Sequence, residues 1–140
     1  MTMTVFVSSP YTHQSPAVME DRARAAGDAC AWLARQGLLP MSPIAHWHLI
    51  AGRHLLPTNA AAWADWNRQW VRAADAVIYL HLHGWEDSQG MAMERTWVAG
   101  KPQAAIEPHM GGFRWVDAPE WLKAAQRRSP WLCGGAAGST

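Results

Sequence analysis

The chain has 140 residues, with 12 Lys plus Arg against 11 Asp plus Glu, 49% hydrophobic residues, ten tryptophans and two cysteines. A chain of this length buries roughly 70% of the surface its unfolded form exposes, enough for one core without disulfide or metal staples. A net charge of +1 leaves no basic excess to neutralise a run of phosphates, which argues against a nucleic-acid polymer as partner but allows a single nucleotide.

The first element is Thr4 to Ser8 (TVFVS), a β-branched and aromatic run that breaks at Ser9-Pro10 and reads as a buried strand. From Pro16 to Gln36 the spacing of Val18, Ala25, Ala29, Trp32 and Leu33 is helical, and Gly37 closes the helix. Leu38 to Ser42 is a short strand weakened by Pro40, and Pro43 opens a loop-to-helix segment, SPIAHWH. Asn59 is a candidate N-cap for a helix over Ala60 to Ala74, with Trp63, Trp66 and Trp70 on one stripe and Asp75 ending it. Ala76 to His83 (AVIYLHLH) is the clearest strand, and it runs into the polar loop GWEDSQG. A helix over Met91 to Ala99 stops at Gly100-Lys101-Pro102, and Gln103 to Ile106 is a fourth strand. A short strand at Phe113 to Val116 and a last helix over Pro119 to Arg128 precede the tail GGAAGST.

No apolar run approaches the ~18 residues of a membrane span, and MTMTVFVSS lacks a charged region followed by a long apolar stretch. The expectation is a cytoplasmic protein with no membrane partner. Cys30 and Cys133 are isolated in the sequence and suit reduced thiols better than a disulfide framework.

Strands alternating with helices imply βαβ units and a parallel sheet covered on both faces. Ligands then bind at the carboxyl ends of the strands, which selects the loops at Ser9 to His13, Ser42 to His48 and His83 to Gly90. The segment GWEDSQGMAMERTWVAGKP, residues 84 to 102, is the richest. Its helix start offers free backbone N–H groups and the Ser88 hydroxyl to an anion. Glu94 follows within two turns, where the helix dipole favours an ionised carboxylate that can act as a nucleophile. The same residues also fit a plainer arrangement, with Ser88 capping the helix and Glu94 pairing with Arg95 or facing water.

SSPYTH, SPIAHWH and GWEDSQGMAMERTWVAGKP, in this order over roughly residues 4 to 107, resemble the nucleoside 2-deoxyribosyltransferase-like superfamily, most closely an uncharacterised bacterial and phage branch similar to nucleotide N-glycosidases. The resemblance implies a small doubly wound, flavodoxin- or Rossmann-like α/β domain, and with the elements above the expectation is a single domain over residues 1–132, with a four- to five-stranded parallel sheet and a flexible tail at 133–140. It implies cleavage or transfer of the N-glycosidic bond of a nucleoside or nucleoside 5′-monophosphate, with no cofactor and no metal. Glu94 matches the family's glutamate nucleophile, which attacks C1′ of the sugar. Ser88 matches a serine on the 5′-phosphate, with Trp85, Gly90 and Met91 beside it as further substrate-binding candidates. Ser9, Pro10 and Tyr11 match the segment that shapes the sugar and base pocket, where Tyr11 can stack on a base or offer its hydroxyl.

The pattern departs from the family at one position. Eight residues before Asp75, where the family has an aspartate that orients the sugar and helps protonate the leaving base, stands Asn67. An amide orients a hydroxyl but is no general acid. Asp65, about 200° round the helix from Asn67, is expected to face solvent. The expectation is therefore reduced glycosidase activity, no catalysis at all, or another acid such as a histidine beside a strand end, His46 or His83. HWH and HLH each put two histidines on one face if extended, but a third or fourth metal ligand is not nominated. Arg22 and Arg24 are read as solvated helix charges, though either can reach a phosphate. The tryptophan stripe is too large for one small core, so a homodimer or higher homo-oligomer is expected. The rival reading is a noncatalytic nucleotide-binding module using the same cleft.

Overall fold

The two most apolar short runs form the middle of the sheet. Thr4–Ser8 (β1) and Ala76–Leu80 (β3) pair in parallel with Val5 opposite Ala76. Both are buried almost throughout, as strands covered on two faces must be. The computed structural model describes residues 2–123, in which five strands lie in the order β2-β1-β3-β4-β5. Leu39–Met41 (β2) flanks β1, and Gln103–His109 (β4) flanks β3, both in parallel.

The fifth strand, Gly112–Trp115 (β5), corrects the expectation of a purely parallel sheet. It pairs antiparallel with β4, with His109 opposite Gly112. Only Met110 and Gly111 remain to turn the chain, at φ 48 and 79. Two consecutive positive φ values are the geometry of a tight hairpin whose twist matches its strands. Two residues cannot make the crossover a parallel neighbour needs.

The helices begin at side-chain caps, of which Asn59 was expected from sequence and Ser15 was not. Ser15 accepts from the Val18 backbone N–H ahead of Pro16–Arg35 (α1), and Asn59 accepts from that of Ala62 ahead of Ala60–Ala73 (α3). The segment after β2 is fully helical: Ser42 caps Pro43–His54 (α2), with proline in the first turn where its missing N–H costs nothing. A 3-10 turn at Trp85–Asp87 leads into the short Gln89–Arg95 (α4). The last helix is assigned only at Leu122 and Lys123. Pro119 to Trp121, expected as its start, are coil and turn, and residues 124–128, Cys133 and the tail at 133–140 lie outside the described residues.

Alternation along β1 divides the core into two layers. Val5 and Val7 pack with Ala29 and Leu33 of α1, whereas Phe6 packs with Val71 of α3 and Met91 of α4. A third cluster joins Tyr11 to Ala23, Ala26 and Ile44. Among the described residues no helix is long and apolar enough to cross a membrane.

Candidate functional site

The chain leaves β1 and β3 on the same edge, then departs in opposite directions, β1 towards β2 and β3 towards β4. A crevice opens at such a point because the two connecting loops diverge. A cleft of about 480 Å³ lies there, lined by residues that follow β1, β3 and the starts of α2, α3 and α4. All three loops chosen from the sequence contribute, although the one at Ser42 to His48 does so only through Pro43 and Ile44.

Glu94 is the most unusual group in it. Its carboxyl is 5% exposed, Ser8 Oγ donates to Oε1 at 2.7 Å and Asn67 Nδ2 donates to Oε2 at 3.1 Å. Both donors stabilise the anion, but burial opposes them and prevails, pushing the carboxyl up to about 7. The expected support from the helix dipole is weak because Glu94 is the sixth residue of a seven-residue helix, beyond the first turn. The plainer placement of Glu94 is also overturned. It does not face water, and Arg95 instead lies over the Tyr79 ring, 4.8 Å from its centroid.

Two buried oxygens beside this carboxyl have no hydrogen-bond partner: Ser9 Oγ and Asn67 Oδ1. Both residues line the cleft. A buried polar atom left unpaired costs about 1 to 3 kcal/mol, so the site carries spare capacity for the hydroxyls of a ligand. Asp65 is exposed on the far side of α3, as its spacing from Asn67 requires.

The cation of the cleft is Arg22, which turns inward rather than to solvent. Its Nη1 donates to the carbonyls of Thr12 at 3.1 Å and Tyr11 at 3.4 Å, and its Nη2 donates to the carbonyl of His83 at 3.1 Å. The guanidinium therefore ties the β1 loop to the β3 loop while keeping its charge. Gly84 makes the close approach possible: at φ 87, a Cβ there would sit 2.8 Å from Arg22 Nη2. Arg24, two residues on and so on another face, pairs with Glu20 at the surface. The exposed Asp87 also lines the cleft and is its opposing charge.

Of the residues singled out from sequence, Ser9, Tyr11, Asn67, His83, Ser88, Gly90 and Glu94 meet around the cleft, and Pro10, His46, Trp85 and Met91 do not line it. Pro10 is buried. Met91 turns into the core with Phe6, and Trp85 stacks on His81 with centroids 3.7 Å apart. His46 is exposed, stacks on Trp66 and meets Trp70 edge to face. Ser88 does cap its helix, accepting from the Met91 N–H at 3.2 Å, while still facing the cleft. Cys30 is inert, its thiol pushed up to about 11 by burial.

Sequence reasoning missed Ser8, His48 and Glu20. Tyr11 stacks on Trp63 at 22° between planes, and its Oη is 2.7 Å from His48 Nδ1. His48 Nε2 in turn makes a short hydrogen bond to Glu20 Oε2. The available signal was the helical period of α2. Residues two apart on a helix point about 200° apart, so His46 and His48 cannot share a face.

Residues 3–108 match the family described as a domain of unknown function, DUF1937, a span that holds every cleft residue named above. No curated protein matches the sequence.

Proposed function

We propose that the chain, which belongs to the DUF1937 family, cleaves or transfers the N-glycosidic bond of a nucleoside 5′-monophosphate or nucleoside, with Glu94 as the attacking carboxylate. The observation that carries this reading is the buried Glu94 carboxyl, fixed by Ser8 and Asn67 beside the unpaired Ser9 Oγ and Asn67 Oδ1. A carboxylate held in low dielectric next to C1′ stabilises the positive charge that develops on the sugar more than it stabilises the ground state. The unpaired oxygens suit sugar hydroxyls, Tyr11 and Trp63 suit a base, and Arg22 with Ser88 suits a phosphate. The resemblance to nucleoside 2-deoxyribosyltransferases points the same way. So does the strand order β2-β1-β3-β4, with helices packed by the two layers of β1, which supports reading the sheet as doubly wound and flavodoxin-like.

A noncatalytic nucleotide-binding module is the second reading, and Asn67 favours it. Where the resembled enzymes place an acid, this chain has an amide that already donates one N–H to Glu94. The oligomer belongs to the same proposal, supported by exposed Leu49, Leu55, Leu56 and Trp66 on α2, the turn after it and α3.

The test is base release, separated by chromatography, from ribo- and deoxyribonucleosides and their 5′-monophosphates. Release that falls by about 1,000-fold or more in Glu94→Gln supports the enzyme. A nucleotide-dependent rise in melting temperature without release moves the assignment to the binding module. Neither effect with any ligand defeats both readings.

A further inference from the structure

The glycosidic reading leaves one chemical requirement open. A departing base needs a proton as its electron pair arrives, and Asn67 has none to give. His46 is turned away from the cleft against Trp66 and Trp70. What the cleft does contain is Tyr11, and behind it a hydrogen-bonded chain through α2 to the surface of α1.

Exposure rises step by step along this chain. Tyr11 is 8% exposed, the His48 side chain 20% and that of Glu20 50%. Three separate elements supply the members, so no local sequence pairing produces the alignment. His48 bonds its two partners through different ring nitrogens, Nδ1 to Tyr11 and Nε2 to Glu20. A carboxylate can only accept, so Nε2 carries a proton in either charge state of the ring. Nδ1 is then the nitrogen that gains or loses a proton, and it faces Tyr11. When Nδ1 is bare, the Tyr11 hydroxyl donates to it. When Nδ1 is protonated, it donates to Tyr11 Oη and frees the phenol proton for another acceptor.

We infer that Tyr11, reprotonated by His48 while the Glu20 carboxylate holds the imidazolium, is the proton donor to the leaving base, in the place that Asn67 cannot fill. The inference rests on the N-glycosidic reading above. In the first step the C1′–N bond breaks, its electron pair goes to the base, and a Glu94 oxygen bonds to C1′. The Tyr11 Oη–H proton passes to the base as the His48 Nδ1–H proton passes to Tyr11, leaving His48 neutral. In the second step water adds to C1′ and the C1′–O bond to Glu94 breaks, its electron pair returning to the carboxylate. The proton released from that water restores Nδ1 through Tyr11. Tyr11 touches substrate and is catalytic, whereas His48 and Glu20 act through it and are positioning residues.

The titration properties agree with these roles. Burial, with the Glu20 charge behind it, raises the Tyr11 phenol above its ordinary value, which keeps it protonated. The bond from His48 holds the Glu20 carboxyl below its ordinary range, with Arg24 as the other charge beside it, which keeps it an anion against the imidazolium.

Leaving-group dependence separates this role from a structural one. Methylation of a purine at N7 places a positive charge on the base, which then departs without a proton. The experiment compares guanosine and 2′-deoxyguanosine 5′-monophosphates with their N7-methyl derivatives, in wild type, His48→Gln, Glu20→Gln and His83→Gln. The expected result is a fall in kcat on the unmodified nucleotide that exceeds the fall on the methylated one by about 30-fold in His48→Gln, with a smaller excess in Glu20→Gln. Glu20 is half exposed, so its variant tests the relay even if His48→Gln folds poorly. Equal losses on both substrates, or no loss, overturn the relay and leave the glycosidic reading intact. A selective loss in His83→Gln alone gives the acid to His83 and also overturns it. No release from any nucleotide by wild type defeats the glycosidic reading, and the relay falls with it.

Discussion

The two ends of the β1–β3 pair each hold a carboxylate with two hydrogen-bond donors, and the contrast between them separates structure from function. At the amino end, Asp75 Oδ2 accepts from the Thr4 N–H at 2.8 Å and from Thr4 Oγ at 3.1 Å. Nearby, Lys101 Nζ donates to the carbonyls of Arg72 and Ala74, satisfying the end of α3. These groups are solvated or paired and leave no spare valence. At the carboxyl end, Glu94 has the same number of donors but is buried, and two neighbouring oxygens are unpaired. Two hydrogen bonds to water-exposed oxygens stabilise a fold. The same two bonds to a buried carboxyl hold a group whose charge the protein tolerates poorly.

The largest expected effect comes from removing that burdened charge. The unfolded carboxyl titrates at its ordinary 4.5 and the folded one at about 7, so the folded state holds the extra proton between these values. Stability from this group is therefore complete below pH 4.5 and is lost as pH rises through 7, a change of about 3 kcal/mol. Denaturant unfolding at pH 5 and pH 8 is expected to show this loss in wild type and not in Glu94→Gln. The unpaired Asn67 Oδ1 lets the amide turn to suit the variant. If both proteins change equally, Glu94 is no more burdened than Asp75 and the contrast collapses. Under the proposed glycosidic cleavage, the same titration predicts a rising limb near pH 7 for base release, since attack needs the anion.

Arg22 sharpens the contrast at the next scale. Lys101 and Arg22 are both cations bonded to backbone carbonyls, yet only Arg22 lines a cleft. Arg22→Gln is expected to lower the preference for a monophosphate over its nucleoside by about 30-fold, the worth of one charged hydrogen bond. That preference is read from the ratio of kcat/KM values. An unchanged ratio would reduce Arg22 to a tie between two loops.

What could be read from sequence divides along the same line. β1, α1, α3 and the start of β3 followed from uninterrupted patterns and, for α3, from Asn59 as cap, because local pattern and buried face agree there. The strand at β5 was read but its antiparallel direction was not, because its hairpin is specified by Met110-Gly111, and methionine at φ 48 is not a turn residue that composition announces. In the cleft, Glu94, Asn67, Tyr11 and Ser88 follow from motif position. The inward turn of Arg22, the donor Ser8 and the Tyr11–His48–Glu20 chain depend on contacts between residues up to 86 positions apart, which no window of sequence contains. HWH shows the limit most plainly: the choice between His46 and His48 required knowing that α2 is a helix.

The smallest effect is at Asp75, and it tests whether the amino end is purely structural. Asp75→Ala removes the acceptor for the Thr4 N–H and hydroxyl at an exposed position where water can replace it. The backbone bonds from the Asp75 N–H to the Thr4 carbonyl and hydroxyl remain possible. A loss of about 1 kcal/mol in unfolding free energy is therefore expected, similar at pH 5 and pH 8, with nucleotide binding and base release unchanged. An effect on base release would mean that the β1–β3 pair transmits displacement along its length to Ser8 and thus to Glu94. The two carboxylates would then form one mechanical unit rather than a fold element and a site.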